Sequence, residues 1–160
     1  TASVRAHDVE SLRELNGPFV AFRHRASALE YLTDGNFTIH STLSPRDWDL
    51  MTIVPVQTVD GGVAWAPIGL ADMLNSGGAV SNVTKIEDDD TPAASAMLTS
   101  RGPGQFVAYC RPEPAQISLN PDAATNLPFT YDARSGLLSF VLPSERDGTP
   151  HRVKIAWERR

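Results

Sequence analysis

The sequence predicts an all-β fold, an antiparallel β-sandwich carrying one or two short helical turns. Three observations lead there. Apolar and polar residues alternate with period two along many short segments, the pattern of strands with one buried face. Twelve prolines and eleven glycines, joined by Asn and Asp, punctuate roughly ten such segments, as turns do in sandwiches. Only two stretches carry helical spacing, and both are short.

In chain order, Asp8 is placed to N-cap a segment in which Val9, Leu12 and Leu15 share a face, with Glu10 in the first turn and Asn16-Gly17 as the stop. Strands are expected over Phe19–Arg23 and 29–32, followed by the turn Asp34-Gly35-Asn36. Phe37, Ile39 and Leu43 then fall on one face of an extended segment, with Thr38, His40 and Thr42 on the other. Further strands are expected over 48–54, 63–66, 97–100 and 129–131, with turn signals at Asp60-Gly61-Gly62, Gly102-Pro103-Gly104, Ser135-Gly136 and Asp147-Gly148. Between them, Leu70, Met73 and Leu74 have the i, i+3, i+4 spacing of a second helical turn, and Asn75-Ser76-Gly77-Gly78 reads as its C-cap. Val153, Ile155 and Trp157 alternate against Arg152, Lys154 and Ala156. The segments Phe106-Val107-Ala108-Tyr109 and Leu137–Leu142 are apolar on both sides, which predicts strands lying between two layers or at a contact with another domain.

Length and charge narrow the function. A chain of 160 residues supports one domain and is too short for a (β/α)₈ barrel, which needs at least about 200. Hydrophobic residues make up 41% and charged residues 21%, a globular balance. The net charge is −5 and no Lys/Arg cluster is present, so the basic stripe that nucleic acid or anionic lipid requires is missing. No apolar run approaches the ~20 residues that span a bilayer. The start, Thr1-Ala2-Ser3-Val4-Arg5, lacks the apolar region of a signal peptide, and a reducing, cytoplasmic location is expected. Cys110 has no partner for a disulfide or a CxxC zinc site and reads as an inert thiol on a strand.

The residues alone give no catalytic constellation. His7, His24, His40 and His151 are scattered, with no HExxH, and His40 lies on the polar face of its segment. GxSxG, GxxxxGK[ST] and GxGxxG are all absent. The glycine-rich run at 75–79 is expected to follow a helix, whereas a phosphate cradle opens one. Asp47, Asp49, Asp72, Asp122 and Asp132 read as turn or surface charges, since a carboxylate pair is defined by separation in space. Glu87-Asp88-Asp89-Asp90 reads as a solvated loop tip; the sharper alternative, a calcium loop, lacks the EF-hand spacing. No cofactor and no metal are assigned.

One run carries more than periodicity. Ala66-Pro67-Ile68-Gly69-Leu70-Ala71-Asp72-Met73-Leu74-Asn75-Ser76-Gly77-Gly78-Ala79-Val80 resembles a segment near the C-terminus of raffinose synthases and seed imbibition proteins, α-galactosidase relatives in glycoside hydrolase family 36. The resemblance continues in family order. Arg5-Ala6-His7-Asp8-Val9-Glu10, Phe19-Val20-Ala21-Phe22-Arg23-His24-Arg25 and Met51-Thr52-Ile53-Val54-Pro55-Val56 precede the run, and Gly104-Gln105-Phe106-Val107-Ala108-Tyr109 follows it. Phe129-Thr130-Tyr131-Asp132, Ser135-Gly136-Leu137 and Leu142-Pro143 then complete the series. The stretches 87–96 and 112–126 depart from the pattern, which points to a divergent branch.

The resemblance implies a C-terminal β-sandwich of an enzyme that passes galactose to sucrose, or to water, through two aspartates on a catalytic barrel. No barrel motif can be placed on this chain, so no catalytic residue is carried over. The expected role is to pack against the barrel of the same polypeptide. The loop bearing Asp72, Asn75, Ser76, Gly77 and Gly78 is the expected contact, or an edge turned toward the sugar. Two other classes stay open: an independent carbohydrate-binding module that takes α-galactoside sugars on Trp48 or Trp65, and a stand-alone protein-interaction domain.

Overall fold

The computed structural model describes residues 1–86, 93–120, 125–144 and 148–158. Along the chain the strands are β1 (Ala2–Val4), β2 (Phe19–Arg23), β3 (Ala28–Leu32), β4 (Ile39–Ser41), β5 (Met51–Pro55), β6 (Gln57–Val59), β7 (Val63–Leu70) and β8 (Val80–Ile86). They continue as β9 (Ala93–Ser100), β10 (Gly104–Arg111), β11 (Gln116–Leu119), β12 (Thr125–Asn126), β13 (Phe129–Asp132), β14 (Leu137–Leu142) and β15 (His151–Glu158). All pairings among the described residues are antiparallel, so the expected all-β class holds.

Two five-stranded sheets form the sandwich. One has the order β13-β14-β10-β7-β6, the other β12-β11-β15-β9-β8. Period-two alternation fills the space between them: Val153, Ile155 and Trp157 of β15 meet Phe106, Ala108 and Cys110 of β10 and Leu138, Phe140 and Leu142 of β14 in one buried cluster. Trp65 and Trp157 meet edge to face there, with centroids 5.6 Å apart.

A third layer was not legible as such. The sheet β3-β2-β5 covers the outer face of the first sheet. Val20 and Phe22 of β2 pack on Ala66 and Ile68 of β7 and on Val107 and Tyr109 of β10. The alternate residues Phe19 and Ala21 face the other way, into a cluster with Ala6, Leu12, Leu32 and Ile39. Both apolar faces of β10 are therefore buried by this chain itself. On β14, Leu137 joins the second core, while Val141 stays 64% exposed. The doubly apolar segments do lie between layers, but most of the cover is internal and needs no other domain.

Both helical expectations are corrected. The N-terminal segment forms two 3₁₀ turns, Ala6–Asp8 and Glu10–Leu12, broken by an extended Val9. Asp8 does not cap forward; its carboxylate accepts from the backbone N–H of Arg5 at 2.9 Å and pairs with the Arg5 guanidinium at 2.8 Å. Of the three residues expected on one face, only Leu12 is buried. The second turn lies at Ser76–Ala79, not at 70–74, because Leu70 is committed to β7. The register of β7 against β10 shifts between Val107 and Ala108. That bulge, with Gly69 at φ +122°, returns Leu70 to the sandwich core after Ile68 has faced the other layer. Similarly, Phe37 and Leu43 are exposed and only Ile39 of that trio is buried.

Cys110 is fully buried in the sandwich core, and burial pushes its thiol up to about 12. It is expected to ignore a disulfide reagent at pH 8 in the folded chain and to react once the chain is unfolded in urea. The raised folded value also stabilises the fold fully below the unfolded thiol's ordinary range. That contribution, about 4 kcal/mol at most, is lost as pH rises from about 9 towards 12. Urea midpoints measured across that window should fall more steeply for the native chain than for Cys110→Ala.

Candidate functional site

The segment linking β7 to β8, which crosses from one sandwich sheet to the other, carries the run singled out above. Its conformation follows from a few contacts. The Ala71 N–H donates to Gln105 O at 2.8 Å, and Met73 N–H to Leu70 O at 3.2 Å, so the chain turns as soon as β7 ends. Asn75 caps the 3₁₀ turn, its side-chain oxygen accepting from Gly78 N–H at 3.2 Å. The run therefore opens a helical turn instead of closing one, contrary to the C-cap reading; at one turn long it has no helix terminus to offer an anion.

Two glycines are fixed by close approach. A Cβ on Gly69 would stand 2.0 Å from Ser76 O, and one on Gly78 would lie 2.4 Å from the Asn75 side chain. Ser76 folds back on the strand end, its hydroxyl 3.4 Å from Ile68 O. Gly77 has only an ordinary contact, 3.9 Å from Ile68 O.

His24 braces the start of the loop. Its Nδ1 lies 2.7 Å from Ala71 O and its Nε2 2.8 Å from Thr52 Oγ1. A carbonyl can only accept, so Nδ1 carries the proton in this contact. Sequence reasoning passed over His24 as one of four scattered histidines; its partners lie 47 and 28 residues away, beyond any local motif. Replacing it with Ala is expected to cost about 1–3 kcal/mol, since a part-buried carbonyl loses its donor. Amide exchange over 71–79 should quicken more than exchange in β15.

With the turn so held, Leu74 stands 83% exposed at its apex. It borders a cleft of about 460 Å³ together with Val4, Val9, Met51 and Ile53, the polar Asp49 and Thr52, and residues 75–77. Three of the five loop residues picked from sequence, Asn75, Ser76 and Gly77, thus line one cleft, whereas Asp72 and Gly78 do not.

The two tryptophan candidates separate. Trp65 is 1% exposed, so it is a core residue and offers no stacking face to solvent. Trp48 is 56% exposed and borders a second, open groove of about 520 Å³ with Arg23, Arg25, His40, Asp47 and Asp49. The Arg25 guanidinium carbon sits 5.2 Å from the Trp48 ring centroid, and its Nη1 donates to Asp47 Oδ1 and to Trp48 O. Those bonds, with the Trp48 N–H at 3.0 Å from Asp47 Oδ1, hold the Asp47 carboxyl below the usual carboxylate range. Behind them Arg23 bonds Asp49 Oδ2 at 3.1 Å and His40 O at 2.9 Å. The pairs Arg23–Asp49 and Arg25–Asp47 join the end of β2 and the turn after it to the segment before β5, 26 and 22 residues apart, so no local spacing signals them.

The other carboxylates take structural parts. Asp132 closes the β13–β14 turn by accepting from Arg134 N–H and from Ser135, whose hydroxyl lowers its titration range most. Asp122 and the acidic run at 87–90 lie outside the described residues. Among the described residues no three His, Cys, Asp or Glu side chains are grouped to hold a metal ion, and no helix is long and apolar enough to cross a membrane.

Comparison with known proteins decides the family. Residues 1–142 match the family model described as raffinose synthase or seed imbibition protein Sip1. The chain belongs to this family. Probable galactinol–sucrose galactosyltransferase 1 of Arabidopsis thaliana is 30% identical over 161 residues, 97% of this chain but 20% of that protein. Galactinol–sucrose galactosyltransferase of Oryza sativa subsp. japonica is 35% identical over 66% of this chain and 13% of its own length. Stachyose synthase of Pisum sativum is 32% identical over 64% and 11%. The chain thus spans a fifth or less of these relatives. Within the raffinose synthase family run, Gly69, Asn75, Ser76 and Gly78 are the residues that shape the turn, and Leu74 is the residue that the turn presents.

Proposed function

We propose that this chain is the non-catalytic C-terminal β domain of a larger galactosyl-transferring enzyme, one that moves galactose to sucrose or hydrolyses α-galactosides. Its part is to support the catalytic barrel of the same polypeptide. Two facts favour a domain of a longer protein: the match to a fifth or less of relatives named as galactosyltransferases, and the use of Asp8, Asp47, Asp49 and Asp132 in ion pairs or turns. The observation that carries the support role is Leu74, 83% exposed on a braced turn beside a cleft whose lining mixes Val4, Val9, Met51 and Ile53 with Asp49, Thr52 and Asn75. Burying one leucine contributes roughly 1.5–3 kcal/mol, and an apolar side chain held out by such a turn is suited to insertion into a neighbouring surface. In the longer enzyme, Leu74→Asp should lower the thermal midpoint and galactosyl transfer together, while the 160-residue chain melts as before. An unchanged longer enzyme would remove the Leu74 face from the contact.

A further inference from the structure

The groove at Trp48 is built differently from the Leu74 cleft, although Asp49 borders both. Its lining combines one aromatic ring with several hydrogen-bonding groups. Arg25 lies over one face of the indole, yet Trp48 remains 56% exposed, so much of the residue is still open to solvent at the groove. Arg25 also ties that residue down, through the Trp48 carbonyl at 2.7 Å and through Asp47. These bonds fix the Trp48 backbone, and the guanidinium over the ring is the contact that favours one indole orientation, which lowers the entropy lost on binding. Asp47 uses Oδ1 for both Arg25 and the Trp48 N–H, which leaves Oδ2 to accept from a hydroxyl. His40 is exposed along the same groove and can donate or accept.

We propose that this groove binds a single galacto-configured pyranoside, stacked on Trp48 and hydrogen-bonded by Asp47 and His40. The combination selects a sugar because such a ring is amphipathic, with C–H groups on its faces and hydroxyls around its edge. It selects the galacto configuration because an axial O4 leaves the C–H groups at C3, C4 and C5 on one face, a continuous apolar patch to lay on indole. In the gluco configuration the equatorial O4 breaks that patch. An anionic ligand fits poorly, since Arg23 and Arg25 are already paired with Asp49 and Asp47. The site stands on the Trp48 groove alone and does not depend on the docking of the Leu74 face.

The three tryptophans make the test direct. Trp65 and Trp157 are buried and Trp48 is exposed, so iodide quenching of the fluorescence reports Trp48. Methyl α-D-galactopyranoside should protect against quenching saturably, with a midpoint in the millimolar range. Methyl α-D-glucopyranoside should protect at least about fivefold less well, consistent with one lost apolar contact. In ¹H–¹⁵N spectra the galactoside should shift the Trp48 indole and the 40–49 backbone. Trp48→Ala, a surface change that leaves the remaining spectrum in place, should abolish those shifts, and Asp47→Asn should weaken them several-fold. Absence of protection by the galactoside, equal protection by the glucoside, or shifts that survive Trp48→Ala would each overturn the assignment.

Discussion

Trp157→Ala is expected to destabilise the chain by about 3–5 kcal/mol, the range for removing a large aromatic side chain from a packed interior. Three features put it there. Trp157 is 0% exposed, its ring meets Trp65 edge to face, and its indole N–H donates to Pro112 O at 3.1 Å. Truncation would open a cavity between the sandwich sheets and leave the Pro112 carbonyl without that donor. The neighbouring Trp65 provides the control. Its indole N–H has no hydrogen-bond partner among the described residues, so Trp65→Phe relieves an unpaired donor while losing some area and should cost under about 1.5 kcal/mol. Trp157→Phe loses a made bond as well and should cost more. Urea unfolding followed by circular dichroism would rank the three variants.

Gly69→Ala is expected to be nearly as damaging, at about 3 kcal/mol or more, although it adds one methyl group. The added Cβ would stand 2.0 Å from the Ser76 carbonyl oxygen, a backbone atom that cannot swing aside. Gly69 also sits at φ +122°, where an L side chain is strained. Strand and turn cannot both keep their places, so the substitution must undo the bulge or push out the Ser76–Ala79 turn. Either way Leu74 is displaced and Ile68 O loses its contact with Ser76. Gly77→Ala is the matched comparison: it has room, its nearest neighbour being 3.9 Å away, and should cost less than about 1 kcal/mol. Equal losses for the two would mean that the close approach at Gly69 does not shape the turn.

Strand character was legible wherever alternation met a single core. Val153, Ile155 and Trp157 read as a strand and are one, and Phe19–Arg23 was placed to the residue. Short or polar strands such as Gln57–Val59 and Thr125–Asn126 gave no signal, since their pairing comes from neighbours and not from their own pattern. The third layer was hidden for a related reason. An apolar residue on the far face of β10 says that something covers it, and cannot say whether the cover is β2 of the same chain or another domain. Helical spacing misled at Leu70, Met73 and Leu74 because a bulge two residues earlier had already assigned Leu70 to the core.

The candidate sites were half legible. The family-like run was visible in sequence, and two of its glycines, Gly69 and Gly78, turn out to be required by their close approach to Ser76 and Asn75. What that shape presents, an exposed leucine, was invisible, because Leu74 looked like part of a buried helical face. Trp48 and Trp65 were indistinguishable as letters; only the strand phase of Trp65, facing Trp157 across the sandwich, separates them.

The proposed non-catalytic role places galactosyl transfer outside these 160 residues. It is tested most directly by incubating the purified chain at high concentration with galactinol and sucrose, and separately with raffinose, and measuring transferred and released galactose. Neither product is expected above the buffer blank. Turnover that grows with protein concentration and disappears on replacing a carboxylate of this chain, Asp72→Asn or Asp49→Asn, would contradict the non-catalytic role.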